Sequence, residues 1–119
     1  MTRLAHIFVV VTVIIALMTA CQRHTGINDR SRLNELDSAY QKIESLQRMQ
    51  DIVDSVDAAG DKQALMLALK QLGKIFRNCS RFQEAIDAHN RCYDVACRLK
   101  DTIEMVRALN NLGTNFRRM

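Results

Sequence analysis

Proline and tryptophan are absent from this 119-residue chain, and glycine occurs only four times. Those absences exclude a collagen-like helix and a Pro-rich linker. They also disfavour a β sandwich, which spends Gly and Pro at its many corners. Aromatic residues are scarce too, with four Phe and two Tyr, too few for a platform that stacks nucleic-acid bases. No P-loop, GxGxxG, HExxH or G-x-S-x-G occurs. His6, His24 and His89 are scattered, and His89 reads as a satisfied packing histidine. Asp51, Asp54 and Asp57 recur at steps of three around a helix with no further ligand group beside them. We therefore expect no enzyme, no cofactor, no metal and no small-molecule substrate. What is present is 48% hydrophobic and 25% charged residues, ordinary for a folded domain, and the chain reads as mostly helical.

Charge is uneven along the chain, whose net is +4. Residues 29–61 hold eight acids and four bases, whereas residues 62–119 hold eleven bases and five acids. A basic C-terminal half suits an acidic partner, or is a solvated helix surface.

The N-terminus has the layout of an export signal. Arg3 precedes the apolar run Ile7–Met18, and the small residues Thr19-Ala20 precede Cys21. The run is shorter than the roughly 20 residues a membrane-spanning helix needs. Leu17-Met18-Thr19-Ala20-Cys21 resembles the lipobox of bacterial lipoproteins, with Met18 where Leu is usual. That resemblance implies acylation of the Cys21 thiol and removal of residues 1–20. The mature chain would then be an exported protein of the cell envelope, held to a membrane by its lipid. An uncleaved signal anchor is the alternative.

The remainder carries an internal repeat. Asp61–Cys79 laid over Asp101–Met119 matches at Asp61/Asp101, Ala68/Ala108, Leu69/Leu109, Leu72/Leu112, Gly73/Gly113, Phe76/Phe116 and Arg77/Arg117, with one constant offset throughout. Gly inside a helix costs about 1 kcal/mol relative to Ala. Gly73 and Gly113 nonetheless interrupt strong helical periodicity in one register, as expected where a neighbouring helix comes close. Leu69-x₂-Leu72-Gly73-x₂-Phe76, followed by Phe82, Ala85, His89 and Cys92, resembles the tetratricopeptide repeat in a long, about 40-residue form. Upstream, Leu46, Met49, Ile52, Val53 and Val56 keep the register of Ile86, His89, Cys92, Tyr93 and Ala96 as a degenerate second helix.

The organisation expected is a signal peptide over 1–20, a polar tether over 21–30 and a degenerate helical region over 31–60. A complete repeat then fills 61–100, and the first helix of a further repeat fills 101–119. Helices are expected over 32–58 (long or kinked), 62–78, 82–99 and 102–118. Asp29 or Ser31 would cap the first, and Gly60 and Asp61 would punctuate the second. The fold class is all-α, a helix-turn-helix solenoid incomplete at its C-terminus. The last helix has Met105, Ala108, Leu109, Leu112 and Phe116 leaning on the preceding helix but without a covering one, so the chain reads as a fragment or truncated product, or as one whose last helix pairs in trans. Cys79, Cys92 and Cys97 read as small buried hydrophobes.

In the tetratricopeptide family the first helix of each repeat lines a concave groove that holds a peptide. The resemblance assigns Lys70, Gln71, Lys74, Arg77 and Asn78 to that groove from one helix. It assigns Arg107, Asn110, Asn111, Thr114, Arg117 and Arg118 from the next. Six of these are bases and none is an acid, so an acidic protein or peptide is the expected partner. Lys70 and Asn111 match the family's carboxylate-binding positions. The function expected is a membrane-tethered binding scaffold; the alternative is the extracytoplasmic input region of a larger bacterial signalling protein, such as a histidine kinase. Export removes the chain from the chromosome, so no nucleic acid is expected.

Overall fold

A computed structural model describes the backbone of residues 2–23 and 25–119, and the side chains of residues 3–14 and 30–119. Among the described residues the fold is all-α, with six helices: α1 (Thr2–Arg23), α2 (Thr25–Gln41), α3 (Leu46–Ala58), α4 (Lys62–Asn78), α5 (Phe82–Arg98) and α6 (Thr102–Arg118). Two compact units are formed, Met1–Arg32 and Leu33–Met119.

In the first unit, α1 leaves Leu4, Ile7, Phe8, Val9, Val10, Val11, Val13 and Ile14 exposed. Thr12, the polar interruption, donates its hydroxyl to the carbonyl of Phe8 at 2.8 Å, which hides its polarity inside the helix. No helix among the described residues is long and apolar enough to cross a membrane. Cys21, the lipidation candidate, lies outside the described side chains.

The second unit is built around α4. Every residue from Ala64 to Gly73 is buried, as are Ile75 and Phe76. A helix buried nearly all round must be covered on several sides, and α4 contacts α3, α5 and α6, while α5 also contacts α6. Met49 and Val53 of α3 join the same core as Leu65, Leu69, Leu72 and Phe76 of α4 and Ala85, Ala88, Cys92 and Ala96 of α5.

The internal repeat governs the helix ends. Asp61 and Asp101 cap α4 and α6, each accepting at Oδ1 from the amide three positions on (Ala64 and Glu104), both at 3.1 Å. Ser45 caps α3 through the Arg48 amide. The C-terminal ends share a second device, which recurs at every half-period. Gly60, Ser80 and Lys100 all have positive φ, of 72°, 60° and 55°. After each, the next amide reaches back to close the helix: Asp61 to Val56 O, Arg81 to Phe76 O and Asp101 to Ala96 O. This closure needs a left-handed residue; only the first position is Gly.

The region expected as one helix over 32–58 is two. α2 ends at Gln41 and α3 begins at Leu46, because Ser45 supplies a new cap. The chain is already helical at Asp29 and Ser31, so neither starts a helix, and α2 begins inside the segment read as a tether. α5 ends at Arg98, one position early, with Leu99 as its cap.

Candidate functional site

Lys70 lies on the third turn of α4 and is only 4% exposed. A buried ammonium needs opposite charge around it. It has two partners: Asp37 of α2 at 3.0 Å and Glu104 of α6 at 3.3 Å. Glu104 is itself buried and takes Arg107 on its other oxygen at 2.6 Å. Lys70 is thus a brace between three helices. The six bases at the expected groove positions are not all free of acids. Lys70 and Arg107 are offset by Asp37 and Glu104, two acids that the repeat register alone did not bring to this surface.

A cleft of about 320 Å³ opens beside this brace, lined by Asp37, Gln41, Lys70, Lys74, Arg107, Asn110 and Asn111. Five of the eleven candidate residues therefore meet in one place. Gln71 and Asn78 line a separate cleft with Glu44, Ile75 and Cys79, because Gln71 is buried and donates to the Ile43 carbonyl at 3.0 Å. Thr114 spends its hydroxyl on the Asn110 carbonyl, and Arg117 donates to Thr114.

Lys74, Arg77 and Arg118 have no carboxylate partner among the described residues. Partial burial, then the charge of Lys70, pushes the Lys74 ammonium below the usual lysine range. Burial, then Arg118, pulls Arg77 down likewise. The Arg77 Nε is buried with no acceptor. Asp37 and Glu104 offset the charge of Lys74 only in part, and cations on α4 and α6 without a direct ion pair favour an anion.

The two glycines behave differently despite their shared register. A Cβ on Gly73 would stand 2.5 Å from the His89 ring. A side chain of α5, not a helix backbone, therefore fills the space. On Gly113 a Cβ would meet nothing within 4 Å. His89 is fully buried, but the expectation of a satisfied histidine fails: neither ring nitrogen has a hydrogen-bond partner. Burial first, and then the charges of Arg77 and Lys74, lower its pKa to about 4, so it is a neutral packing group and no base at neutral pH.

The cysteines divide. Cys92 is buried, donates to the Met66 carbonyl, and has its thiol pushed up to about 12 by burial. Cys79 and Cys97 are exposed, contrary to expectation. Cys79 caps α4 at its turn. Cys97 follows Cys92 by five positions, which rotates it about 140° from the buried side.

A further, larger cleft of about 540 Å³ was not legible in the sequence. It has a floor of Val53, Leu69, Leu72, Phe76 and Ala88, with Asp54, Glu84 and Asp87 at its edge. Its acids come from two helices, Asp54 from α3 and Glu84 and Asp87 from α5, so only the packing of α3 and α5 on α4 brings them together. No group of His, Cys, Asp and Glu able to hold a metal occurs among the described residues. No family model, no curated protein and no solved structure matches this chain.

Proposed function

We propose that this chain is a tetratricopeptide-like scaffold, exported and tethered through Cys21, that binds an acidic segment of a partner protein along α4 and α6. The observation that carries the reading is the cation set Lys74, Arg77 and Arg118 on α4 and α6, none with a carboxylate in ion-pair contact; Lys74 lines the cleft, and Arg77 has a buried Nε lacking an acceptor. A carboxylate placed there would supply the missing acceptor and relieve the mutual repulsion of the cations. Asn110 and Asn111 at the same cleft offer amide groups for a peptide backbone. Lys70 and Arg107 position the helices, and their charge is already spent on Asp37 and Glu104.

Acidic, neutral and basic fluorescent peptides titrated against the chain test this reading. Acidic peptides should bind more tightly, and Lys74→Glu with Arg77→Glu should reverse the preference while leaving the helical circular dichroism intact. Equal binding of all three classes would refute it. The tether is checked separately: labelled fatty acid should appear on the wild-type chain and vanish in Cys21→Ala.

A further inference from the structure

Helix α6 is apolar on two sides. Ala108 and Leu112 are buried in the unit, whereas Ile103, Val106, Leu109, Phe116 and Met119 are between 49% and 68% exposed. The same register on α4 is covered: Met66, Leu69 and Phe76 are at most 5% exposed, and His89 fills the space over Gly73. On α6 the corresponding space over Gly113 is open.

The spacing of this uncovered face identifies an occupant. Its large residues and its notch fall at 103, 106, 109, 113, 116 and 119. The pattern is the same read in either direction from position 111. Ile103 mirrors Met119, Val106 mirrors Phe116, and Leu109 mirrors Gly113. At 3.6 residues per turn, 106, 109, 113 and 116 share an arc of about 80°. An antiparallel copy of the helix would thus meet every apolar residue with an apolar residue. It would also meet each glycine notch with a leucine.

Charge selects the same direction. A parallel pair would set Arg117 of both copies at the same end, on the flank of the contact. An antiparallel pair places the two at opposite ends and opposes the two helix dipoles. Such a contact is isologous, so it closes as a dimer and does not extend into a filament.

We infer that α6 pairs with α6 of a second copy, antiparallel about a two-fold axis at the level of residue 111, with Leu109 of each copy seated over Gly113 of the other.

The test uses the full chain in mild detergent with Cys21, Cys79 and Cys97 changed to Ser. The buried Cys92 stays, its thiol unreactive. Val106→Cys chains are mixed with Phe116→Cys chains under a mild oxidant. The mixture should give a disulfide-linked dimer. Neither variant alone should, because like positions lie about 15 Å apart along an antiparallel pair. Sedimentation should show a dimer, and Gly113→Leu should raise its dissociation constant at least ~10-fold, since the added side chain fills the notch that Leu109 needs. That substitution meets nothing within its own chain at Cβ, so helical content should be unchanged. A chain that stays monomeric, as when the face awaits a helix from another protein, overturns the inference. So does a dimer without the Val106–Phe116 cross-link, as association through α1 or a parallel pair would give.

Discussion

His89 makes folding stability depend on pH with a sign set by its burial. Its ring is fully buried over Gly73, with both nitrogens unpartnered and with Arg77 and Lys74 adding positive charge nearby. The group is a base whose folded pKa is lowered, from 6.5 to about 4. Above 6.5 it is neutral in both states and costs nothing. As pH falls below 6.5, the unfolded chain takes up a proton that the folded chain refuses, so stability drops until the folded pKa is reached. At 1.36 kcal/mol per unit the whole loss is on the order of 3 kcal/mol, of which about 2 kcal/mol is lost by about pH 5. Carboxylates titrate in the same range and must be cancelled. His89→Met does so, because Met49 already holds the equivalent position one repeat upstream, fully buried. Urea unfolding of both chains in mild detergent, at about pH 7.5 and about pH 5, gives the difference directly. The wild type should lose about 2 kcal/mol more than His89→Met on acidification. Equal losses would refute a neutral, buried His89.

Two further substitutions test the packing. Gly73→Ala should destabilise by about 1–3 kcal/mol through overlap with the His89 ring, and unfolding of Gly73→Ala/His89→Ala should show that the second change removes the penalty. In the same register Gly113→Ala, on the dilute chain, should stabilise by up to about 1 kcal/mol, since only helix propensity changes there. Lys70→Met should cost about 3–5 kcal/mol in urea unfolding, because it leaves Glu104 buried with only the exposed Arg107; Glu104→Gln added to it should recover part of the loss.

The boundaries of α4 and α6 were legible because Asp caps, Leu spacing and the glycines recur in one register. Gly60 announced its left-handed turn, while Ser80 and Lys100 did not. They adopt the same conformation only because the closing hydrogen bonds of α4 and α5 require it. The break at residues 42–45 was hidden, since Leu36, Tyr40 and Ile43 continue a helical stripe through it and Ser45 alone marks the restart. At the candidate site, the lysines and arginines could be placed on α4 and α6 from the register. Their neutralisation could not: Asp37 comes from a helix outside the repeat, and Glu104 stands where the preceding repeat has Ala64. Burial of His89 followed from its stripe, but its lack of hydrogen bonds depends on which groups its neighbours present.

Binding of an acidic peptide as salt is raised measures the central claim most directly. Exposed charge contacts are screened within about 8 Å at physiological ionic strength. Affinity of the wild-type chain should therefore fall steeply between low and physiological salt, and Lys74→Glu with Arg77→Glu should abolish both the binding and its salt dependence. Affinity that holds constant with salt, or that survives the double substitution, would contradict an acidic partner at α4 and α6.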